Sequence, residues 1–111
     1  MRQKPQPANR IAFAGVAEIT DQESGRHLTG DVSELSVHGC YVEIQRTLPI
    51  ANIVVVKIFN ESERFEAMAQ VIFVHQNMAM GLVFRDVSMQ STMILRGWLL
   101  RSPGSPQYAN E

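Results

Sequence analysis

Cysteine is almost absent from this chain, since Cys40 is the single example among 111 residues. One thiol forms no intramolecular disulfide, which excludes the disulfide-rich scaffolds of many small secreted proteins. Cys40 stands at the beginning of an apolar strand pattern. We therefore interpret it as a small core residue and not as a nucleophile.

Long hydrophobic runs are also missing. Unbroken apolar runs such as Ile53–Val56 contain only four residues, whereas a membrane-spanning helix needs about 20. The first ten residues, MRQKPQPANR, are mainly polar, and the apolar core of a secretory signal does not follow them. The sequence therefore predicts a cytoplasmic protein without a membrane span.

An excess of one charge is lacking too. Ten Lys and Arg residues against 11 Asp and Glu residues give a formal net charge of −1, so no strong basic field attracts DNA or RNA. The three histidines, at 27, 38 and 75, have no Cys or carboxylate at ligand spacing, which predicts no metal site. The sequence has neither a Gly-rich phosphate loop nor a nucleophile elbow nor an acid–base pair, so we expect no enzymatic activity.

Alternating apolar and polar residues predict six short strands. The predicted strands are Ile11–Ile19, His27–Val32, Cys40–Ile44, Ile53–Phe59, Arg64–His75 and Met78–Phe84. In the fifth strand, alternate residues are predicted to lie together on one side: Phe65, Ala67, Ala69, Val71 and Phe73.

One amphipathic helix follows the strands. Ser88 is a suitable N-cap, and Leu95 and Trp98 lie on one face at helical spacing. Six closely spaced strands and one terminal helix predict a mainly β fold, a small closed or half-open antiparallel barrel covered by the helix. We expect the domain to span residues 10–101, between a flexible N-terminal arm at 1–9 and a disordered tail at 102–111.

Methionines are frequent near the end of the predicted barrel, at Met78, Met80, Met89 and Met93. The simplest interpretation is flexible filling of the core. Any exposed part of this set could form a surface for a partner protein.

The segment Glu34–Val42, ELSVHGCYV, resembles the signature of the PilZ domain family. In that signature an acidic residue or Asn, a Ser and a Gly lead directly into a strand. The segments Phe65–Val74 and Met80–Phe84, followed by a helix that ends in Trp-Leu, are also similar to the family's framework. The resemblance extends over residues 6–101.

The second motif of the family is a pair of arginines just before the first strand. Arg10 stands in the place of the second arginine, and Gln6, four residues earlier, stands in the place of the first. This chain therefore keeps one of the two guanidinium groups.

The resemblance implies a six-stranded PilZ-like barrel that acts as a receptor for the bacterial second messenger cyclic di-GMP, without a cofactor. Arginine suits this ligand because its planar fork meets a phosphate or the O6/N7 edge of guanine bidentately. The acid and the Ser can hydrogen-bond guanine or backbone, and the Gly permits close approach or an unusual backbone angle. The implied ligand-binding residues are Gln6, Arg10, Glu34, Ser36 and Gly39.

A second function stays open beside the first. Gln6 is uncharged and cannot replace a guanidinium on a phosphate, which predicts weakened affinity. A PilZ-fold adaptor that has lost nucleotide binding also fits this departure. In both cases we expect the partner that receives the signal to be an effector protein.

Overall fold

The computed structural model describes residues 10–101, which form six antiparallel strands and one helix. The predicted arm at 1–9 and tail at 102–111 lie outside these residues. The elements are β1 Ile11–Asp21, β2 His27–Leu35, β3 Gly39–Glu43, β4 Ile53–Asn60, β5 Glu63–His75, β6 Ala79–Val87 and α1 Met89–Arg101. The predicted mainly β fold with one C-terminal helix is confirmed.

The six strands close into a barrel in the order β1-β2-β3-β6-β5-β4, and β4 pairs with β1 to complete it. Hairpins join β1 to β2, β2 to β3, β4 to β5 and β5 to β6, and each pair is antiparallel. The connection from β3 to β4 is the one that joins strands that are not neighbours. Closure leaves no strand edge open for pairing with another chain.

The core of the barrel consists of the alternate side chains of each strand that point inward. Val54, Val56 and Ile58 of β4 are completely buried, and Val42 of β3 is too. Cys40 is also buried, and burial raises the pKa of its thiol to about 12, so the thiol stays protonated at neutral pH. Its interpretation as a core residue is confirmed.

Helix α1 packs against the barrel, chiefly on β5. The Ser88 hydroxyl accepts a hydrogen bond from Ser91 N at 3.1 Å, which confirms the predicted N-cap. Leu95 and Trp98 are each 2% exposed, and the Trp98 ring lies 5.0 Å from the Phe13 ring between centroids. The indole N–H of Trp98 donates to Glu63 Oε1 at 2.9 Å.

The shared face predicted for β5 is wrong at its last residue. Phe65, Ala67, Ala69 and Val71 are buried, but Phe73 is 47% exposed. The cause is a β-bulge, because Val71 pairs with Leu82 of β6 while Phe73 pairs with the next residue along, Gly81. The extra residue, Ile72, reverses the alternation and turns Phe73 outward.

The methionines are divided between core and surface. Met80 is completely buried, and its sulfur accepts a hydrogen bond from Leu48 N at 3.2 Å. Met78, Met89 and Met93 are exposed by more than half. Among these four methionines, core filling therefore holds for Met80.

Candidate functional site

A cleft of about 430 Å³ opens on the barrel surface beside the turn between β2 and β3. Four of the predicted ligand-binding residues line this cleft together: Arg10, Glu34, Ser36 and Gly39. Gln6, the fifth, lies outside the described residues. The cleft falls within the range of about 300–1,000 Å³ that is typical of small-molecule sites.

Arg10 and Glu34 form an ion pair at this cleft. Arg10 precedes β1, and Glu34 lies on β2, opposite Ala12 of β1. Arg10 Nη1 donates to Glu34 Oε1 at 2.9 Å, and the two side chains are 46% and 43% exposed. This bond uses one of the five N–H donors that a guanidinium offers. An exposed pair of this kind contributes little to stability, so its importance lies in where it holds the charge.

Ser36 organises the turn that carries the predicted signature. Its backbone N–H donates to Gly39 O at 2.9 Å. Its side-chain oxygen accepts a hydrogen bond from His38 N at 3.1 Å. Ser36 is only 5% exposed, so the hydroxyl acts first on its own backbone, in a turn typical of Ser and Thr.

Gly39 is required by the close approach of β3 and β6. A Cβ built on Gly39 would collide with the carbonyl oxygen of Leu82 on β6. The residue before Gly39 also contacts β6, because Phe84 N donates a hydrogen bond to His38 O at 2.8 Å. Gly39 does not have a positive φ, so of the two explanations for this Gly, close approach is the one that the structure supports.

A row of outward-facing residues crosses five strands at the cleft. Glu34 of β2 pairs with Tyr41 of β3, and Tyr41 pairs with Gly81 of β6. Gly81 pairs in turn with Phe73 of β5, and Glu34 pairs on its other side with Ala12 of β1. Residues that pair directly lie on the same face of a sheet. The sequence motifs did not identify Tyr41, Gly81 or Phe73 as ligand-binding residues.

Tyr41 and Phe73 lie on opposite sides of Gly81 in this row. Their ring centroids are 6.3 Å apart, with the rings inclined at 34°. Both side chains line the same cleft as the ion pair. Alternation along β3 places Tyr41 on the opposite face from the buried Cys40 and Val42, and the bulge in β5 brings Phe73 to the same cleft.

Residues 10–101 contain no group of three or more His, Cys, Asp or Glu side chains that could hold a metal ion. The one helix in that range is too short and too polar to cross a bilayer.

Comparison with solved structures identifies barrels of the same fold. The chain is similar to the PilZ domain of CeSA from a cellulose-synthesizing bacterium, with a TM-score of 0.67, 17% identity, and coverage of 81% of this chain and 97% of that one. It is also similar to the PilZ domain of YcgR from Escherichia coli with c-di-GMP, with a TM-score of 0.64, 15% identity, and coverage of 83% and 87%. Among curated proteins none matches significantly.

The sequence itself carries the family pattern over the whole described range. The family model of the PilZ domain matches residues 6–101, which begins at Gln6 and ends at the last residue of α1. That match includes Arg10 and the segment from Glu34 to Gly39, which meet at the cleft. This chain belongs to the PilZ domain family.

Proposed function

We propose that this chain is a non-enzymatic, cytoplasmic receptor module that binds cyclic di-GMP in the cleft beside the β2–β3 turn. Binding would then change its contact with an effector protein in bacterial second-messenger signalling. The observation that carries this proposal is the convergence of Arg10, Glu34, Ser36 and Gly39 on one cleft, although they come from segments far apart in sequence. The similar barrel of YcgR contains c-di-GMP, which makes this ligand the first to test.

Each residue has a chemical role in this proposal. The guanidinium of Arg10 binds a phosphate or the acceptor edge of a guanine. The carboxylate of Glu34, which lies 2.9 Å from Arg10, orients that guanidinium and accepts from the N–H groups of a guanine. Ser36 and Gly39 act by shaping the turn, since the hydroxyl and the missing side chain are both used within the barrel.

Gln6 stands in place of the first arginine of the family motif, and we expect it to weaken the affinity for cyclic di-GMP. A hydrogen bond to a charged group contributes roughly 1.5–3 kcal/mol, so the loss of one guanidinium lowers affinity by roughly 10- to 150-fold. We propose that the domain comprises residues 10–101, with the arm at 1–9 supplying Gln6 and the tail at 102–111 outside the binding function.

A second candidate function is a protein-interaction adaptor of the same fold that no longer binds nucleotide. Two observations favour it. Gln6 leaves the site with one arginine of the family's pair, and that arginine is already bonded to Glu34. Helix α1 also presents Met89, Met93 and Leu100 as exposed apolar side chains, which could contact a partner.

The test of the first function is a titration of the isotope-labelled chain with cyclic di-GMP, in which NMR spectra record the chemical shifts of the backbone amides. We expect the largest shifts in Glu34–Gly39, with smaller shifts on β4, which lies on the other side of the barrel. Shifts confined to α1, or no shifts at about millimolar ligand, would favour the adaptor.

A further inference from the structure

The outer face of the barrel at the cleft is more apolar than a solvent-facing sheet needs to be. Phe73 is 47% exposed and its neighbour Ile72 is 53% exposed. Both line the cleft, together with the half-buried Tyr41 and Val83. Contiguous exposed apolar side chains on a small protein mark a binding surface more often than scattered ones do.

The two rings form a platform over Gly81. Tyr41, Gly81 and Phe73 lie side by side on β3, β6 and β5. Gly81 has no side chain, so the Phe73 side chain can lie over it. A Cβ at Gly81 would lie 3.2 Å from Phe73 Cβ, 3.8 Å from Cδ2 and 3.9 Å from Cγ, so the Phe73 side chain covers the position that a larger residue would fill.

Contacts with His75 hold both rings in place. The Tyr41 hydroxyl lies 3.4 Å from His75 Nδ1. The Phe73 ring meets the His75 ring edge-on, with 5.6 Å between centroids. Rings that are held before a ligand arrives lose little rotamer freedom when it binds.

The charges beside the platform indicate what it binds. Glu34 pairs directly with Tyr41, and Arg10 is bonded to Glu34. The cleft therefore combines flat aromatic surface, a carboxylate acceptor and a guanidinium. A purine nucleotide offers the complement to all of these, namely a planar base, N–H donors on its edge when the base is guanine, and a phosphate.

We propose that Tyr41 and Phe73 form a stacking platform for a purine base of the bound nucleotide. This inference rests on the proposed nucleotide site and adds a contact that neither sequence motif supplies. Stacking on an aromatic side chain changes affinity by about fivefold to 150-fold per base. The platform thus compensates in part for the uncharged Gln6, and binding depends less on salt than binding by two arginines does.

An introduced tryptophan reports on the platform directly. In Phe73→Trp the new indole replaces a ring of the platform, while the native Trp98 is buried and gives a constant background. Leu100→Trp is the matched control, because Leu100 is 77% exposed on α1, away from the cleft. The probes are cyclic di-GMP and guanosine monophosphate. We expect each probe to quench the tryptophan fluorescence of Phe73→Trp saturably, and more strongly than it quenches the fluorescence of Leu100→Trp.

The two probes test the platform separately from the proposal that cyclic di-GMP is the natural ligand. Quenching by guanosine monophosphate but not by cyclic di-GMP would support the platform and contradict the proposed function. Equal quenching of Phe73→Trp and Leu100→Trp by both probes would overturn the platform. Binding of cyclic di-GMP measured by calorimetry in that last case would leave the proposed function intact.

Two further substitutions distinguish stacking from general apolar contact. Phe73→Leu keeps an apolar side chain without a ring, and Phe73→Tyr keeps the ring. We expect Phe73→Leu to raise the dissociation constant for cyclic di-GMP by about fivefold or more, and Phe73→Tyr to change it by less than about twofold. An equal dissociation constant in both variants and the unaltered chain would overturn the platform. Because Phe73 is half exposed, neither variant should prevent folding.

Discussion

Arg10 Nη1 lies 2.9 Å from Glu34 Oε1, so the basic residue of one motif is bonded to the acid of the other. The two residues are 24 positions apart in sequence and meet because Ala12 pairs with Glu34 across β1 and β2. In the proposed site, a phosphate would therefore share Arg10 with the carboxylate or replace it. The ion pair holds the guanidinium over the cleft and also competes for it.

Arg10→Ala should weaken binding of cyclic di-GMP by about tenfold or more, because one charged partner of the ligand is lost. The free energy of unfolding should change by less than about 1 kcal/mol, since the ion pair is exposed. Calorimetry and urea unfolding measure the two effects. Arg96→Ala is the control, because Arg96 is an exposed arginine on α1. An unchanged dissociation constant in Arg10→Ala would remove Arg10 from the site.

Gly39→Ala and Gly97→Ala should change stability in opposite directions. A methyl group at Gly39 collides with the Leu82 carbonyl, which destabilises the fold by about 1–3 kcal/mol. At Gly97 within α1 the nearest atoms belong to the flexible end of Arg101, so the helical propensity of Ala should stabilise by up to about 1 kcal/mol. Thermal unfolding of both variants tests this. Equal stability of Gly39→Ala and the unaltered chain would contradict close approach as the reason for Gly39.

Trp98→Ala should destabilise the domain by about 3–5 kcal/mol. The indole is 2% exposed, packs on Phe13, and donates a hydrogen bond to Glu63. Leu100→Ala on the exposed side of the same helix should change stability by no more than about 0.5 kcal/mol. Comparable unfolding midpoints in the two variants would mean that the packing of α1 on the barrel contributes little to stability.

Asp21 makes stability depend on pH at the end of β1. Its carboxylate is buried, which raises the pKa, but hydrogen bonds from Ser24 Oγ, Glu23 N and Asn52 Nδ2 outweigh burial and hold the pKa below its ordinary value. A pKa lowered by folding stabilises above the unfolded value of about 3.9, and the stabilisation is lost as pH falls through the folded value.

Asp21→Asn should therefore be less stable than the unaltered chain at about pH 7, and the difference should shrink below about pH 4. Urea unfolding of both proteins across this range measures the difference. A constant difference from about pH 7 to about pH 3 would mean that the ionisation of Asp21 does not contribute.

Much of the fold follows from the sequence because alternation survives wherever the strands are regular. In β3, Cys40 and Val42 are buried while Glu43 is exposed, as the pattern predicts. The N-cap at Ser88 and the buried Trp98 are equally local properties, and the structure confirms both.

The site is only partly predictable because it depends on long-range register. The motif of Ser36 and Gly39 is visible in the sequence, but their hydrogen bonds and close contacts are not. The bulge at Ile72 depends on how β5 meets β6, and without it Phe73 would face the core instead of the cleft. Strict alternation therefore misplaces Phe73.

Gln6→Arg should restore the second arginine of the family motif and strengthen binding of cyclic di-GMP by roughly one to two powers of ten. High salt should reduce this gain, because the added contact is a charge on a phosphate. Gln6→Lys is a useful comparison, since it adds the charge without the planar fork. Binding by Gln6→Arg but not by the unaltered chain would identify the protein as an adaptor that has lost its ligand.

The most direct test of the central claim is a calorimetric titration of the unaltered chain with cyclic di-GMP, run beside Arg10→Ala. The proposed site predicts saturable binding by the unaltered chain and binding weaker by about tenfold or more in Arg10→Ala. No heat of binding at about millimolar ligand from the unaltered chain would contradict the claim that this cleft is a receptor for the messenger.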